Sequence, residues 1–144
     1  RGQWAAGGEP GGAWGARGGR VRARGVQWGC GSAGSLATVE VVRRHCGSDD
    51  CFEARISGDR VSHCKPDPEI YLRAAEALGA TPSECVVFED ALAGIESARR
   101  AGAGCIVALA TTLPRETLLD EGRPDRIIGT YADIPDGDLT QILS

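Results

Sequence analysis

A chain of 144 residues with a formal charge of −4 is long enough to bury the core of one domain. No stretch approaches the roughly 18 apolar residues that span a bilayer, so we expect no membrane partner. Residues 1–29 carry five Arg and one Glu while the remainder is acidic. This distribution argues against a nucleic-acid-binding body, although not against a basic arm.

Residues 1–24 are rich in Gly, Arg and Ala and show no sustained helical or strand periodicity. Such a composition buries too little apolar surface to offset the entropy lost on ordering. We therefore expect a flexible arm over 1–24 and an ordered unit over 25–144. Because the chain starts at Arg1 and lacks Met, we interpret it as a fragment or a mis-framed beginning.

The chain contains six Cys and no apolar signal-peptide region at its start. We expect all six to be reduced and the protein to be cytoplasmic. An alternative is a metal cluster formed by His45, Cys46, Cys51, His63 and Cys64. Cys46 and Cys51 have the C-x₄-C spacing found in such clusters, but no second pair of Cys has a C-x₂₋₄-C spacing.

The first predicted strand covers residues 26–28 and leads into a turn of small residues over 29–35. Ser32 would stand at the carboxyl edge of that strand. Backbone N–H groups of a Gly/Ser turn favour an anion, which makes Ser32, Ala33 and Gly34 candidate phosphate-binding residues. A helix over 36–45 and a short strand over 52–57 follow.

Lys65 precedes a helix whose start and end are both marked. Asp67 is a candidate N-cap, Pro68 suits the first helical position, and Gly79 lies past the end. Residues 81–84 then have capping-box spacing. Lys65 is the only Lys in the chain, beside fifteen Arg. A compact ammonium and a planar guanidinium are not interchangeable at a phosphate, so this single Lys is a candidate phosphate ligand.

Residues 85–104 read as a strand, a helix and the approach to a second strand. The apolar run 85–88 is too short for a helix and is typical of a strand buried on both faces. Glu89 and Asp90 follow it at the carboxyl edge, where open α/β sheets bind ligands. Two adjacent carboxylates suit Mg²⁺. Alternatively, Asp90 is only the N-cap of the next helix and Glu89 a solvated loop residue.

That helix is predicted to end at Ala101, with Gly102 past its end. A strand over 105–110 comes next, then a helix that starts at Pro114 and stops at Gly122. Residues 126–128 read as an edge strand, and residues 139–143 as a terminal helical piece.

Three motifs stand in a fixed order: the Ser turn after a strand, KPDPEIYLRAAEALG, and ECVVFEDALAGIESARRAGAG. Together they resemble the haloacid dehalogenase superfamily, in its phosphatase and β-phosphoglucomutase-like branch, from about residue 25 to residue 134. The resemblance implies an α/β fold with a Rossmann-like parallel sheet and helices on both faces. It also implies a Mg²⁺-dependent phosphatase or phosphomutase that works through an aspartyl-phosphate on a small phosphorylated metabolite.

The resemblance assigns a role to four residues. Ser32 matches the residue that hydrogen-bonds the transferring phosphoryl group, and Lys65 matches the Lys that neutralises it. Asp90 matches the Mg²⁺ ligand, with Glu89 as its acidic partner. A cation, a hydroxyl and a metal around one phosphate are what phosphoryl transfer requires.

The chain departs from the family pattern in the region before Ser32, where the motif that carries the nucleophile is expected. The nucleophile is the first Asp of a D-x-D-G-[TV] motif on the central strand, and this chain has no Asp before Asp49. We therefore expect an incomplete fold without the nucleophile strand and the cap domain, and a chain that is inactive as given. The alternative is a non-catalytic core whose RG-rich arm binds RNA or a protein partner.

A missing central strand would leave the strands on either side of it with unpaired edges. Either residues 19–24 fill the gap or the chain self-associates through those edges. We expect the second outcome, because residues 19–24 contain few apolar side chains.

Overall fold

The computed structural model describes residues 3–7, 27–32, 54–130 and 133. Its strands are β1 (Gln3–Gly7), β2 (Gln27–Ser32), β3 (Ala54–Ser57), β4 (Cys85–Glu89), β5 (Cys105–Leu109) and β6 (Arg126–Ile128). Its helices are α1 (Glu69–Ala77), α2 (Leu92–Ala101) and α3 (Arg115–Thr117), which continues as a π-helical turn over Leu118–Gly122. Short 3₁₀ turns cover Gly58–Arg60 and Pro82–Glu84.

All six strands belong to one parallel sheet with the order β3-β2-β1-β4-β5-β6. The chain runs outward from β1 to β3, then crosses to β4 and continues outward to β6. This is the predicted Rossmann-like parallel sheet. Because every strand is parallel, the carboxyl ends of all six lie along one edge.

The central position of the sheet is occupied by β1. Gln3 is in register with Gln27 of β2 on one side and with Cys85 of β4 on the other. The expected arm without regular structure is therefore wrong for residues 3–7, and so is the expected gap, which is filled by these residues and not by 19–24. Pairing on both edges satisfies backbone groups that would otherwise be buried without partners, and this outweighs a Gly- and Ala-rich sequence.

The central strand is thus present, but its sequence QWAAG carries no carboxylate. The unpaired strand edges given above as the reason for self-association are absent between β2 and β4, since both pair with β1. In the alternative hypothesis, an RG-rich arm over residues 1–24 binds RNA or a protein partner. Because residues 3–7 form β1, they are not available to such an arm.

The described helices form one layer. Connections from β3 to β4, β4 to β5 and β5 to β6 all move in the same direction across the sheet, so right-handed crossovers place their helices on one face. Consistent with this, α1 packs against α2, and α2 packs against the π-helical turn. The connections of the opposite direction, residues 8–26 and 33–53, lie outside the described residues.

The core lies between this helical layer and the centre of the sheet. The core is formed by apolar residues of α1, α2 and the π-helical turn, together with residues of β4 and β5 that point to the same face of the sheet. Its members are Ile70, Tyr71, Ala74, Val87, Ile95, Ala98, Ala101, Ile106, Ala108 and Leu118.

The predicted ends of the described helices are confirmed, whereas each of these helices starts one residue later than predicted. Gly102 ends α2 in the left-handed conformation with φ +80°, and Gly79 follows α1 with φ +67°. The Glu84 carboxylate accepts hydrogen bonds from the Thr81 N–H at 2.9 Å and hydroxyl at 2.8 Å, as a capping box requires. The predicted helices over 36–45 and 139–143 lie outside the described residues.

Two predicted caps are wrong. The N-cap residue of α1 is Pro68, so Asp67 is not the N-cap and Pro68 is not the first helical residue, although the Glu69 N–H still donates to Asp67 Oδ1 at 2.9 Å. The residue before α2 is Ala91, which has extended backbone angles and no capping side chain, so Asp90 is not the N-cap. Within the described residues, no helix combines the length and apolar character needed to cross a bilayer.

Candidate functional site

The candidate site lies where the central strands reach their carboxyl ends. Ser32 ends β2 and is in register with Ser57, which ends β3. Gly7 ends β1 in register with Gly31, and Glu89 ends β4 on the other side of β1. The backbone therefore brings the predicted Ser32 and Glu89 to the same edge. Ala33 and Gly34, the other predicted phosphate-binding residues, lie outside the described residues.

Lys65 is delivered to this edge by a loop that is fixed at several points. The Asp67 N–H donates to the Cys64 carbonyl at 2.9 Å, which closes a turn around Lys65. The buried Ser97 hydroxyl on α2 donates to the Asp67 carbonyl at 2.6 Å. These contacts tie the loop to the helical layer. They fix the position of the Lys65 backbone independently of the contacts made by its side chain.

Glu69, the first residue of α1, holds the start of the same loop. Its carboxylate accepts hydrogen bonds from the N–H groups of Ser62 at 2.9 Å and His63 at 3.0 Å, and it pairs with Arg73 at 2.7 Å. These donors, led by the Ser62 N–H, lower the pKa of Glu69 to about 2. Glu69 is therefore ionised at neutral pH and serves as an anchor for the loop.

The Lys65 ammonium forms an ion pair with Glu89. The Glu89 side chain is 1% exposed, whereas 14% of the Lys65 side chain remains accessible. The Lys65 Nζ and the Tyr71 hydroxyl both donate to the same oxygen, Oε1, of Glu89. The other oxygen, Oε2, accepts from the backbone N–H of Asp90 at 3.2 Å. A buried carboxylate needs such donors, because unpaired it would be strongly destabilising.

The position of Glu89 follows from strand geometry. Side chains of a strand alternate between faces, so Glu89 points to the same face as Val87, towards α1 and α2. Gly94, on the first turn of α2, makes room for it. A Cβ on Gly94 would lie 2.0 Å from Glu89 Cδ, so no larger residue fits without displacement.

Asp90 has different surroundings from Glu89. Its side chain is half-buried, and its Oδ2 accepts a hydrogen bond from the Thr112 hydroxyl at 2.9 Å. In the part of the chain that the structure describes, Oδ1 accepts no hydrogen bond. The two acidic residues thus separate: Glu89 is a buried counter-ion of Lys65, and Asp90 presents an oxygen at the edge of the sheet. A metal-ligand role for either residue stays a prediction.

Of the alternative cysteine cluster, only His63 and Cys64 lie among the described residues, so the cluster stays a prediction. Cys64 is exposed and free, while Cys85 and Cys105 lie in β4 and β5, where burial raises the pKa of both thiols. His45, Cys46 and Cys51 lie outside the described residues. His63 does meet Asp67 and Glu69, with ligand atoms within 4.8 Å of one another, but Glu69 is already engaged by the loop.

Sequence reasoning missed three residues of this site. Tyr71 lies in the KPDPEIYLRAAEALG motif without a role assigned to it, yet its hydroxyl donates to Glu89. Gly94 was not singled out, although Gly inside an otherwise regular helix is the usual signal of a close approach. Ser57, buried at the end of β3, donates to the Asp59 carboxylate.

A family model, haloacid dehalogenase-like hydrolase, matches residues 19–102 of this sequence, which is more than half of the chain. The chain belongs to the haloacid dehalogenase-like hydrolases. This confirms the resemblance given by the motifs around Lys65 and Asp90. The match includes Ser32, Lys65, Glu89 and Asp90, and it begins after β1.

Named relatives of this haloacid dehalogenase-like hydrolase include phosphatases. The fructose-1-phosphate phosphatase YqaB of Escherichia coli is 42% identical over 72 residues, covering 50% of this chain and 38% of that protein. Two solved structures are each 25% identical. CbbY of Rhodobacter sphaeroides in complex with phosphate has a TM-score of 0.74, with 83% of this chain and 53% of that chain covered. A hydrolase of Deinococcus radiodurans with bound phosphate and sodium has a TM-score of 0.76, with 89% and 58% covered. This chain therefore spans only part of the length of these relatives.

Proposed function

We propose that this chain carries the phosphate-binding and metal-binding part of a Mg²⁺-dependent phosphatase or phosphomutase site, and that the chain as given binds phosphate without hydrolysing its esters. The observation that supports this most directly is the Lys65 ammonium. It is fixed at the carboxyl edge of the sheet by Glu89 while 14% of its side chain stays accessible.

The ion pair leaves the ammonium free to take a second anion. An ammonium has three N–H donors, and Glu89 Oε1 uses one of them. Glu89 is buried, so it neutralises Lys65 from the protein interior while part of the Lys65 side chain stays accessible, and Ser32 ends β2 at the same edge of the sheet. Lys65 and Ser32 together would bind two oxygens of one phosphate.

The donor set at the edge fits Mg²⁺. Mg²⁺ uses one or two carboxylates and completes its octahedron with phosphate oxygens and water. Asp90 supplies one such carboxylate, oriented by Thr112. Glu89 fits less well as a direct ligand, because both of its oxygens already accept hydrogen bonds. Bound there, Mg²⁺ would neutralise charge on the phosphate oxygens.

The lack of turnover is inferred from β1. Its sequence QWAAG occupies the central position of the sheet but offers no nucleophilic side chain at its carboxyl end. Covalent phosphoryl transfer needs such a group, and the loss of a nucleophile commonly costs on the order of 10⁴ to 10⁶ in rate.

The substrate class is inferred from the relatives. One is named for fructose 1-phosphate and another, from Thermotoga maritima, for phosphorylated carbohydrates. We therefore propose a small phosphorylated metabolite, of the sugar phosphate type, as the ligand of the site.

The binding part of the proposal is tested by titrating inorganic phosphate into the chain and following heat. Lys65→Ala should weaken binding by tenfold or more, since a hydrogen bond to a charged group contributes about 1.5–3 kcal/mol. Arg100→Ala is the matched control, because it removes one positive charge from an exposed position on α2 that pairs with Glu96. Equal affinity in the wild type and Lys65→Ala would overturn the proposal.

The catalytic part is tested with p-nitrophenyl phosphate and Mg²⁺. The 144-residue chain should hydrolyse it no faster than its Lys65→Ala variant. A Mg²⁺-dependent turnover that Lys65→Ala abolishes would show that another residue replaces the missing nucleophile.

A further inference from the structure

Tyr71 lies at the centre of the contacts that hold Lys65. It is 2% exposed and stands on the first turn of α1, six residues after Lys65. Its hydroxyl donates to the Glu89 oxygen that also accepts the Lys65 ammonium. The centroid of its ring lies 5.1 Å from the Lys65 Nζ. One side chain therefore contacts both members of the ion pair.

We infer that Tyr71 is a positioning residue for the Lys65 ammonium, acting through the shared Glu89 oxygen and through the face of its ring. This inference rests on the proposed function for its consequence, which is phosphate binding. Its structural part, the fixing of Lys65, is separate and can be measured without any ligand.

The two contacts act on different charges. The hydroxyl donates to Glu89 and so fixes the carboxylate in one rotamer, which in turn fixes the place where the ammonium binds. The ring presents its negative face to the ammonium at a distance where cation–π attraction operates. Together they limit the ammonium to one position while its outer side stays accessible. A mobile Lys side chain would have to be ordered when phosphate binds, and the entropy lost in that step would weaken binding. A side chain that is already fixed avoids this loss.

The chain offers an unusually direct measurement, since Lys65 is its only Lys. Protein made with ¹⁵N-lysine gives a single side-chain ammonium signal by NMR. A fixed, hydrogen-bonded ammonium exchanges its protons with water slowly, and a mobile one exchanges them fast. The measurement is made first in phosphate-free buffer and then during a titration with inorganic phosphate.

Tyr71→Phe keeps the ring and removes the hydroxyl, and Tyr71→Leu removes both. We expect proton exchange at Lys65 to be several times faster in Tyr71→Phe and faster again in Tyr71→Leu. Phosphate affinity should fall about three- to tenfold in Tyr71→Phe, because a hydrogen bond within a charged network is lost. Tyr71→Phe keeps the experiment decisive if Tyr71→Leu does not fold.

Ala75→Gly is the control for a purely structural effect. Ala75 is buried on the same helix, and its loss destabilises α1 without removing a contact to Glu89. It should leave both the exchange rate and the phosphate affinity unchanged well below its melting temperature. The inference would be overturned if the Lys65 protons exchanged at the wild-type rate in Tyr71→Phe. It would also be overturned if Ala75→Gly accelerated their exchange as much as Tyr71→Phe does.

The two proposals fail in different ways. If the wild type binds no phosphate but Tyr71→Phe accelerates exchange, the proposed function fails and the role of Tyr71 stands. If Lys65→Ala weakens phosphate binding but Tyr71→Phe changes neither reading, the role of Tyr71 fails and the proposed function stands.

Discussion

Substitution of Gly94 by Ala tests whether the buried Glu89 organises the site. An Ala Cβ at this position would lie 2.0 Å from Glu89 Cδ and 2.2 Å from each of its oxygens. Real Cβ contacts are never this short, so either α2 moves away from β4 or Glu89 leaves its place. Glu89 cannot move without losing Lys65, Tyr71 or the Asp90 N–H.

The size of the effect can be worked from these contacts. Overpacking costs about 1–3 kcal/mol. The loss of one hydrogen bond to a charged group adds about 1.5–3 kcal/mol. The better helix propensity of Ala returns about 1 kcal/mol. We expect Gly94→Ala to lower the free energy of unfolding by about 1.5–5 kcal/mol, measured by urea denaturation.

A second variant separates general damage from damage to the site. A Cβ on Gly104 would lie 2.1 Å from the Ser83 carbonyl oxygen, so Gly104→Ala should also destabilise the fold. Only Gly94→Ala should make the single amine of Lys65 react faster with an acylating reagent under native conditions. If Gly94→Ala is as stable as the wild type, or if Lys65 reacts equally in both variants, the reasoning about Glu89 is wrong.

Three further outcomes are expected. Because the pKa of Glu69 is lowered to about 2 from 4.5, its contribution to stability is complete above pH 4.5 and is lost as the pH falls towards 2. The difference in the free energy of unfolding between the wild type and Glu69→Gln, followed by urea denaturation, should therefore narrow over that range, and a difference that stays constant would contradict the anchoring role of Glu69. If Asp90 is a Mg²⁺ ligand, Asp90→Asn should weaken Mg²⁺ binding by calorimetry several-fold while the exposed Asp120→Asn does not, and an equal response would contradict the metal assignment. Gly7→Asp, which places a carboxylate at the end of the central strand, should raise p-nitrophenyl phosphate hydrolysis at least tenfold over the parent in a stopped assay, and the gain should vanish when Lys65→Ala is added; no gain would mean that the end of β1 is not the nucleophile position.

Local signals in the sequence were enough to predict much of the fold. Gly102 and the capping box at Thr81 mark helix and turn boundaries whose geometry depends only on neighbouring residues. The apolar runs of β4 and β5 are short, branched and followed by polarity, which identifies buried parallel strands. Lys65 and Asp90 were found by the same kind of local evidence, a motif next to a predicted strand or helix end.

The central strand could not be predicted in this way. Apart from Trp4, residues 3–7 are Gln, Gly and two Ala, which carry little strand propensity. They form a strand because two neighbouring strands, β2 and β4, offer unpaired edges to them. That stabilisation comes from residues more than twenty positions away, so no window of the sequence around β1 contains it.

The roles of the acidic pair were also decided by tertiary structure. The sequence places Glu89 and Asp90 side by side and therefore suggests one shared function. The alternation of side chains along β4 turns Glu89 under the helices, where Lys65 and Tyr71 meet it, and leaves Asp90 at the edge beside Thr112. The sequence by itself determined which residues have the chemistry for phosphate and metal. Only the packing of α1 and α2 over the sheet decided which of them is buried as a counter-ion and which remains available, because burial depends on residues that are distant in the chain.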